Sequence, residues 1–168
     1  MTNCFFIGDT HFGHQGCCEF LNHEGTGKMR PFETSEEMDE AIIERWNSVV
    51  MPKDRVYVLG DVAIKRRNIQ TIARCSGRKV LIRGNHDIFN MSDYATYFDD
   101  IRGVHVMPNH DAILSHVPLH PDSVTRFKLN IHAHLHDGKI NDPRYFCASV
   151  EHINYTPISW EEIKELRS

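Results

Sequence analysis

The sequence predicts an α/β fold, with strands and helices alternating along one chain. Two observations lead to this prediction. Five short apolar runs rich in β-branched and aromatic residues recur along the chain, and helical patterns that open with capping signals lie between them. The chain has 168 residues and is 40% hydrophobic, which is enough for a single packed core. We therefore expect one domain over residues 1–168.

The first predicted strand covers residues 4–7, and Gly8 ends it with a backbone that turns easily. Asp9 and His11 follow, two residues apart. In an extended chain such residues project to the same side, so a carboxylate and an imidazole would converge on one object. A simpler alternative stays open, in which Asp9 caps a turn and His11 is merely exposed.

The other four runs end in the same way, each in polar residues of the kind that bind metals. In α/β sheets, ligands collect outside the carboxyl ends of the strands. We therefore expect these polar side chains to meet at one edge. The runs and their polar ends are residues 55–59 before Asp61, residues 79–82 before Asn85, His86 and Asp87, residues 112–115 before His116, and residues 129–131 before His132, His134 and His136.

Two helices are marked by capping-box signatures. Thr34 and Glu37 precede apolar residues at helical spacing, and Ser159 and Glu162 open a helix near the end of the chain. In a capping box the first side chain accepts from the backbone of the second residue, and the second side chain accepts in return. We expect both boxes to form.

Composition excludes several classes of protein. A net charge of −4 and a pI near 6.3 give no whole-surface attraction to nucleic acid or to anionic membranes. No run approaches the roughly 18 apolar residues of a membrane span, and the start of the chain lacks a signal-peptide pattern. Five cysteines without a CxxC motif suggest neither a disulfide framework nor a zinc ribbon. We expect a soluble, cytoplasmic protein.

The polar strand ends together offer carboxylates, an amide and imidazoles, but no thiolates. This donor set suits Mn, Fe, Zn, Co or Ni. Seven candidate ligands are too many for one tetrahedral ion, and they suit a pair of ions bridged by one carboxylate. An alternative of another class is a structural zinc site made of His11, His14, Cys17 and Cys18.

In order and approximate spacing, these motifs resemble those of the calcineurin-like metallophosphoesterases. The likeness covers nearly the whole chain and is closest to small stand-alone bacterial and phage-type members. One departure is Ala133, where the family usually has glycine. The motifs that carry the resemblance are Asp9-x-His11, Gly60-Asp61, Gly84-Asn85-His86-Asp87, His116 after a strand, His134-x-His136, His14, Arg30-Pro31-Phe32 and Trp46-Asn47.

The resemblance implies a four-layer sandwich of two mixed β-sheets flanked by helices, with two divalent ions at one edge. Mn²⁺ is the favoured ion, with Fe, Ni, Co, Zn and Mg as alternatives. The implied ligands are Asp9, His11, Asp61 and His136 for the first ion, and Asp61, Asn85, His116 and His134 for the second.

The implied activity is hydrolysis of a phosphate ester by a hydroxide shared between the ions. His86 would be the general acid, with Asp87 accepting a hydrogen bond from its ring. His14 and Arg30 are candidates for contact with substrate oxygens. The alternatives are a solvated Arg30 and a His14 that is only hydrogen-bonded within its loop. His132 either orients a metal ligand or faces the edge of the core.

The phosphorylated substrate could be a nucleotide or a nucleic acid. We expect no association with a membrane, and the sequence shows no sign of an obligate protein partner. A phosphodiester is favoured because the chain is too short to carry a separate cap domain around a small monoester. The alternatives are a phosphomonoesterase or phosphoprotein phosphatase of the same family, and a non-catalytic scaffold with the same fold.

Overall fold

The computed structural model describes residues 2–168, and in them it forms nine strands and four α-helices. Three 3₁₀ helices, Gln15–Cys18, Arg66–Arg74 and Pro108–His110, connect them. Within the described chain, no helix is long and apolar enough to cross a bilayer. The strands and helices are β1 Cys4–Ile7, α1 Ser35–Val49, β2 Arg55–Val58, β3 Arg78–Ile82, α2 Met91–Ala95, β4 Asp100–Arg102, β5 Val104–Met107, β6 Ala112–Ser115, α3 Pro121–Val124, β7 Leu129–His132, β8 Tyr145–Cys147, β9 Ile158–Ser159 and α4 Trp160–Arg167.

The strands form two mixed sheets. The first has the order β4-β3-β2-β1-β9, in which β1 to β4 are parallel and β9 is antiparallel to β1. The second has the order β5-β6-β7-β8, with β6 to β8 parallel and β5 antiparallel to β6. The prediction of an α/β fold is confirmed. The five predicted strands correspond to β1, β2, β3, β6 and β7.

Alternation along β1 separates two apolar cores. Phe5 and Ile7 pack in a cluster that includes Trp46 of α1. Phe6 points the other way, into a cluster that includes Leu114 of β6 and Ile131 of β7. Because successive side chains of a strand face opposite sides, the first sheet packs on α1 with one face and on the second sheet with the other.

Of the two predicted capping boxes, one is complete and one is half formed. Ser159 and Glu162 exchange both hydrogen bonds, and this begins α4. At α1 the Thr34 hydroxyl accepts from the Glu37 backbone at 3.2 Å, as predicted. The Glu37 carboxylate, however, accepts from the backbone of Glu33 at 3.1 Å instead of that of Thr34. The prediction of a full box at Thr34 is therefore wrong.

A short bridge joins the two sheets at the end of β1. The Gly8 backbone donates to the Ala148 carbonyl at 2.8 Å, and Val150 donates to the Gly8 carbonyl at 3.1 Å. A Cβ atom placed on Gly8 would lie 2.4 Å from the Cβ of Ala133. The methyl group of Ala133 therefore fits because position 8 is glycine.

Candidate metal centre

The polar residues after β1, β2, β3, β6 and β7 gather in one place, but the chain there is not extended. Five of the seven predicted ligands have a left-handed backbone. Non-glycine residues rarely adopt it, and each costs about 1–3 kcal/mol, a strain that clusters at functional sites. The extended geometry assumed for the His-x-His and Asp-x-His pairs is therefore wrong. The five residues are Asp9 (φ 57°), His11 (φ 47°), Asp61 (φ 56°), His134 (φ 71°) and His136 (φ 52°).

The ligands predicted for the first ion lie together. One ligand atom from each of Asp9, His11 and His136 falls within 4.8 Å of the other two. The Nε2 atom of His11 is also 3.6 Å from Oδ2 of Asp61. Side chains that are up to 127 positions apart in the sequence thus surround one point.

The ligands predicted for the second ion form a neighbouring group. Ligand atoms of Asp61, His116 and His134 lie within 4.8 Å of one another. The Asn85 carbonyl oxygen is 2.8 Å from Nε2 of His116 and 3.0 Å from Nδ1 of His134. Asp61 Oδ2 is 3.4 Å from Nε2 of His116. Asp61 therefore borders both groups, as a bridging ligand must.

Unpartnered atoms provide a test of whether these groups suit a cation. Among the described residues, Oδ1 of Asp9 and both ring nitrogens of His11 are buried without a hydrogen-bond partner. Each such group costs about 1–3 kcal/mol in a protein interior. An oxygen and nitrogen donor set with unused lone pairs fits a divalent first-row ion. The residues therefore fit the predicted ions.

The pKa values of the two aspartate ligands, Asp9 and Asp61, are shifted in opposite directions. Burial raises the pKa of Asp9 to about 6, in spite of the nearby His136 and His116. Burial also acts on Asp61, but hydrogen bonding and charge from His116 outweigh it and lower the pKa of Asp61 to about 2. The pKa of His11 lies well below its usual value, first because of burial and then because of Arg30. Asp61 is thus ionised and His11 neutral, the states that bind metal.

Arg30 is completely buried beneath this centre. Its guanidinium donates to the carbonyls of Asp9 at 2.6 Å and Thr10 at 3.1 Å, and to the carboxylate of Glu151 at 2.8 Å. A covered guanidinium cannot reach a substrate, so the predicted contact of Arg30 with substrate is wrong. The alternative of a solvated Arg30 is wrong as well. Arg30 instead fixes the backbone that carries Asp9.

Glu151 is a participant that the sequence analysis missed. Its carboxylate accepts from Nδ1 of His136 at 3.0 Å. Burial would raise the pKa of Glu151, but Arg30 and His136 outweigh it and lower the pKa to about 2. A signal was present in the sequence, since β8 is also a short apolar run followed by polar residues at Ser149 and Glu151. Ser149 donates to Oδ2 of Asp9 at 2.5 Å.

Asp87 does not contact the ring of His86. Its oxygens accept from the backbones of Asp61 at 2.8 Å, Val62 at 3.0 Å and Gly84 at 2.8 Å. The predicted hydrogen bond between Asp87 and the His86 ring is therefore wrong, because three backbone donors occupy this carboxylate. Asp87 holds the turn after β2 against the turn after β3.

His86 itself lies at the open side of the centre. Its side chain is exposed. Its backbone donates to Oδ1 of Asp61 at 2.9 Å, and its ring centroid is 5.7 Å from that of His11. The predicted general acid is therefore beside the ligands with its ring accessible.

Of the residues in the alternative zinc site, His14 and Cys17 lie beside His11 but Cys18 does not. His14 is half-buried, and its ring centroid lies 5.7 Å from that of His11, with Nδ1 3.1 Å from Sγ of Cys17. Cys18 points away, with Sγ 4.0 Å from the sulfur of Met38. The four-residue zinc alternative therefore loses Cys18.

His132 lies in the core edge. It is 1% exposed, and its Nδ1 is 2.9 Å from the Ala133 carbonyl. In the described residues its ring nitrogens make no other hydrogen bond. The edge-of-core alternative for His132 is the one that the structure favours.

Comparisons with known proteins reveal relatives without an assigned function. No family model matches the chain. The uncharacterized protein MJ1445 of Methanocaldococcus jannaschii is 31% identical over an alignment of 180 residues that spans 99% of this chain and 92% of that protein. The gene 66 protein of Mycobacterium phage L5 is 35% identical over 92 residues, 52% of this chain and 41% of its own length.

A solved structure shares the fold. The crystal structure of AQ665, a protein of unknown function from Aquifex aeolicus, superposes with a TM-score of 0.71 over 99% of this chain and all of that one. The two sequences are 24% identical. The match supports the two-sheet arrangement and nothing about activity.

Proposed function

We propose that this chain, which belongs to the family of the uncharacterized protein MJ1445 from Methanocaldococcus jannaschii, is a phosphoesterase dependent on two divalent ions. The observation that carries the proposal is the pair of adjacent ligand groups bordered by Asp61. The motif resemblance to calcineurin-like metallophosphoesterases supports it. The four-layer arrangement typical of that superfamily, and the preference for Mn²⁺, belong to the same proposal.

Bound ions would supply positive charge for the phosphoryl oxygens and lower the pKa of water toward about 7. Asp9, His11, Asp61 and His136 would hold the first ion, and Asp61, Asn85, His116 and His134 the second. This donor set contains no thiolate, in keeping with a hard or borderline ion.

The surrounding residues fix the ligand tautomers. Nδ1 of His116 is 2.7 Å from the Leu59 carbonyl, and Nδ1 of His136 is 3.0 Å from the Glu151 carboxylate. A nitrogen facing such an acceptor carries the proton. With the proton on Nδ1, Nε2 would be the nitrogen left to bind a cation in each ring, and in His116 it lies 2.8 Å from the Asn85 carbonyl oxygen and 3.4 Å from Oδ2 of Asp61, the donors expected for the second ion.

His86 would donate a proton to the leaving alcohol. Its accessible ring stands beside the ligands, with its centroid 5.7 Å from that of His11, and from there it would reach the leaving-group side of a bound phosphate ester. Positioned proton transfer contributes about 10²–10⁴-fold to rate. A phosphodiester remains the favoured substrate, and a phosphomonoester is the second candidate.

Metal reconstitution tests the proposal. The metal-free chain is incubated with Mn²⁺, Ni²⁺, Mg²⁺ or Zn²⁺, bound metal is counted, and hydrolysis of bis(nitrophenyl) phosphate, nitrophenyl phosphate and cyclic nucleotides is followed. We expect two exchangeable ions and turnover, and loss of the second ion in Asn85→Ala. Asn109→Ala, at an exposed position, is the matched control. No bound metal would favour a scaffold, and one tightly held zinc without turnover a structural site.

The role of His86 is tested by changing the leaving group. His86→Ala should lose about 10²–10⁴-fold on alkyl phosphate esters and far less on nitrophenyl esters, whose leaving group scarcely needs a proton. His120→Ala, at an exposed histidine, is the control. Equal losses on both kinds of ester would remove His86 from this role.

A further inference from the structure

A sulfur-containing group lies beside the first ligand group. Ligand atoms of His11, His14 and Cys17 fall within 4.8 Å of one another, and Sγ of Cys17 is 3.1 Å from Nδ1 of His14. A tetrahedral zinc ion separates a sulfur and a nitrogen ligand by about 3.5 Å. The three side chains are therefore spaced as ligands of one ion would be.

The local backbone builds this group. His14 donates to the carbonyl of His11 at 3.0 Å, and Cys17 donates to the carbonyl of His14 at 3.1 Å. These two turns bring three residues from a seven-residue stretch onto one side. The next cysteine, Cys18, faces the opposite way toward Met38.

His11 supplies an independent sign that a ligand is missing. Its side chain is buried, and both of its ring nitrogens lack a hydrogen-bond partner. A neutral imidazole has one lone pair to give. His11 can therefore bind one ion at a time, on either the oxygen-rich side with Asp9 and His136 or the sulfur side with Cys17 and His14.

We propose that His11, His14 and Cys17 form a site for a thiophilic divalent cation such as Zn²⁺ or Cd²⁺, and that this ion competes with the first ion for His11. Thiolate selects such ions over Mn²⁺ and Mg²⁺. Binding converts the Cys17 thiol to a thiolate and releases its proton to solvent. The site goes beyond the proposed hydrolysis and does not require it.

Cobalt is the probe, because a cobalt–thiolate bond has a sulfur-to-metal charge-transfer band. The metal-free full-length chain is titrated with Co²⁺ and its near-ultraviolet absorption recorded. Wild type and Cys18→Ala should develop the band, and Cys17→Ala should not. His14→Gln, at a half-buried position, should weaken Co²⁺ binding at this band by at least about tenfold. The same band in Cys17→Ala, or none in a wild type that binds Co²⁺, would overturn the proposal.

Competition is tested by displacement. Cd²⁺ is added to the Mn²⁺-loaded chain, and free Mn²⁺ is followed by electron paramagnetic resonance. Cys17→Ala should need at least about tenfold more Cd²⁺ for the same release. Equal titrations would overturn the sharing of His11. A charge-transfer band in a chain that binds no Mn²⁺ would keep this site and refute the phosphoesterase centre.

Discussion

Asp9 and Glu151 are two buried carboxylates that lie near the same arginine, yet their pKa values are shifted in opposite directions. Arg30 touches both residues, through the backbone carbonyl of Asp9 and the carboxylate of Glu151. The pKa of Asp9 is raised to about 6 because burial prevails. The pKa of Glu151 is lowered to about 2 because Arg30 and His136 overcome the same burial.

The difference teaches that burial alone does not mark a metal ligand. One oxygen of each carboxylate lacks a hydrogen-bond partner, so hydrogen bonding does not separate the two residues. What separates them is the cation that Glu151 has in Arg30 and Asp9 lacks. A missing positive charge at Asp9 is what a bound dication would supply.

The largest effect expected from this comparison follows removal of the satisfied carboxylate. Glu151→Gln leaves Arg30 buried without its counter-charge, and we expect the free energy of unfolding to fall by about 3–5 kcal/mol. Urea unfolding in the presence of chelator measures it. Glu33→Gln, which breaks an exposed pair with Lys28, should change stability by less than about 1 kcal/mol.

The stabilisation that Glu151 provides should depend on pH. Because the pKa of Glu151 is lowered in the folded state, its contribution is present above its ordinary pKa of 4.5 and is lost as the pH falls toward 2. The gap between wild type and Glu151→Gln should therefore shrink in acid. A gap that is independent of pH would show that Glu151 and Arg30 do not form the pair described.

A smaller effect of opposite direction is expected at the unsatisfied carboxylate. Asp9→Asn removes a buried charge that has no cationic partner, so the metal-free chain should gain about 2–3 kcal/mol of stability at neutral pH. Because the pKa of Asp9 is raised, its penalty is absent below its ordinary value of 3.8 and complete above about 6. Thermal unfolding of wild type and Asp9→Asn in chelator, from pH 4 to pH 7, measures this gain. An Asp9→Asn variant less stable than wild type across that range would contradict the prediction.

The smallest effect expected is at a glycine on the metal side. A Cβ on Gly84 would lie 2.3 Å from Oδ1 of Asp61, whereas one on Gly103 would meet nothing within 4 Å. Gly84→Ala should cost about 1–3 kcal/mol and weaken metal binding, because Asp61 has to move. Gly103→Ala serves as the control for both unfolding and metal content, and equal behaviour of the two variants would contradict the crowding.

The sequence was sufficient for the parts that depend on local chemistry. An apolar run followed by a metal-ligand residue is visible in a short window, and the structure brings Asp61, Asn85 and His116 together from such windows. The ion pair between Arg30 and Glu151 was missed because its two residues lie 121 positions apart and no local pattern links them. Strands β4, β8 and β9 have only two or three residues, which is too few to show a period.

Backbone conformation was the other part beyond prediction. A sequence shows that Asp9 and His11 are two apart, but not that both adopt positive φ. The function assigned to Asp87 failed for a related reason, since its partners are backbone N–H groups brought near by the turns after two strands. The identity of a side chain predicts which interactions it can make, and the backbone turns determine which partner atoms it contacts.

The placement of the ligands on both sheets has a consequence for cutting the chain. Exposed Gly103 separates β4 of the first sheet from β5 of the second. A cut there would leave Asp9, His11, Asp61 and Asn85 on one fragment, and His116, His134 and His136 on the other. Neither fragment would keep all the ligands of either ion. Recovery of metal binding on mixing would therefore show that the two fragments had reassociated into the native fold.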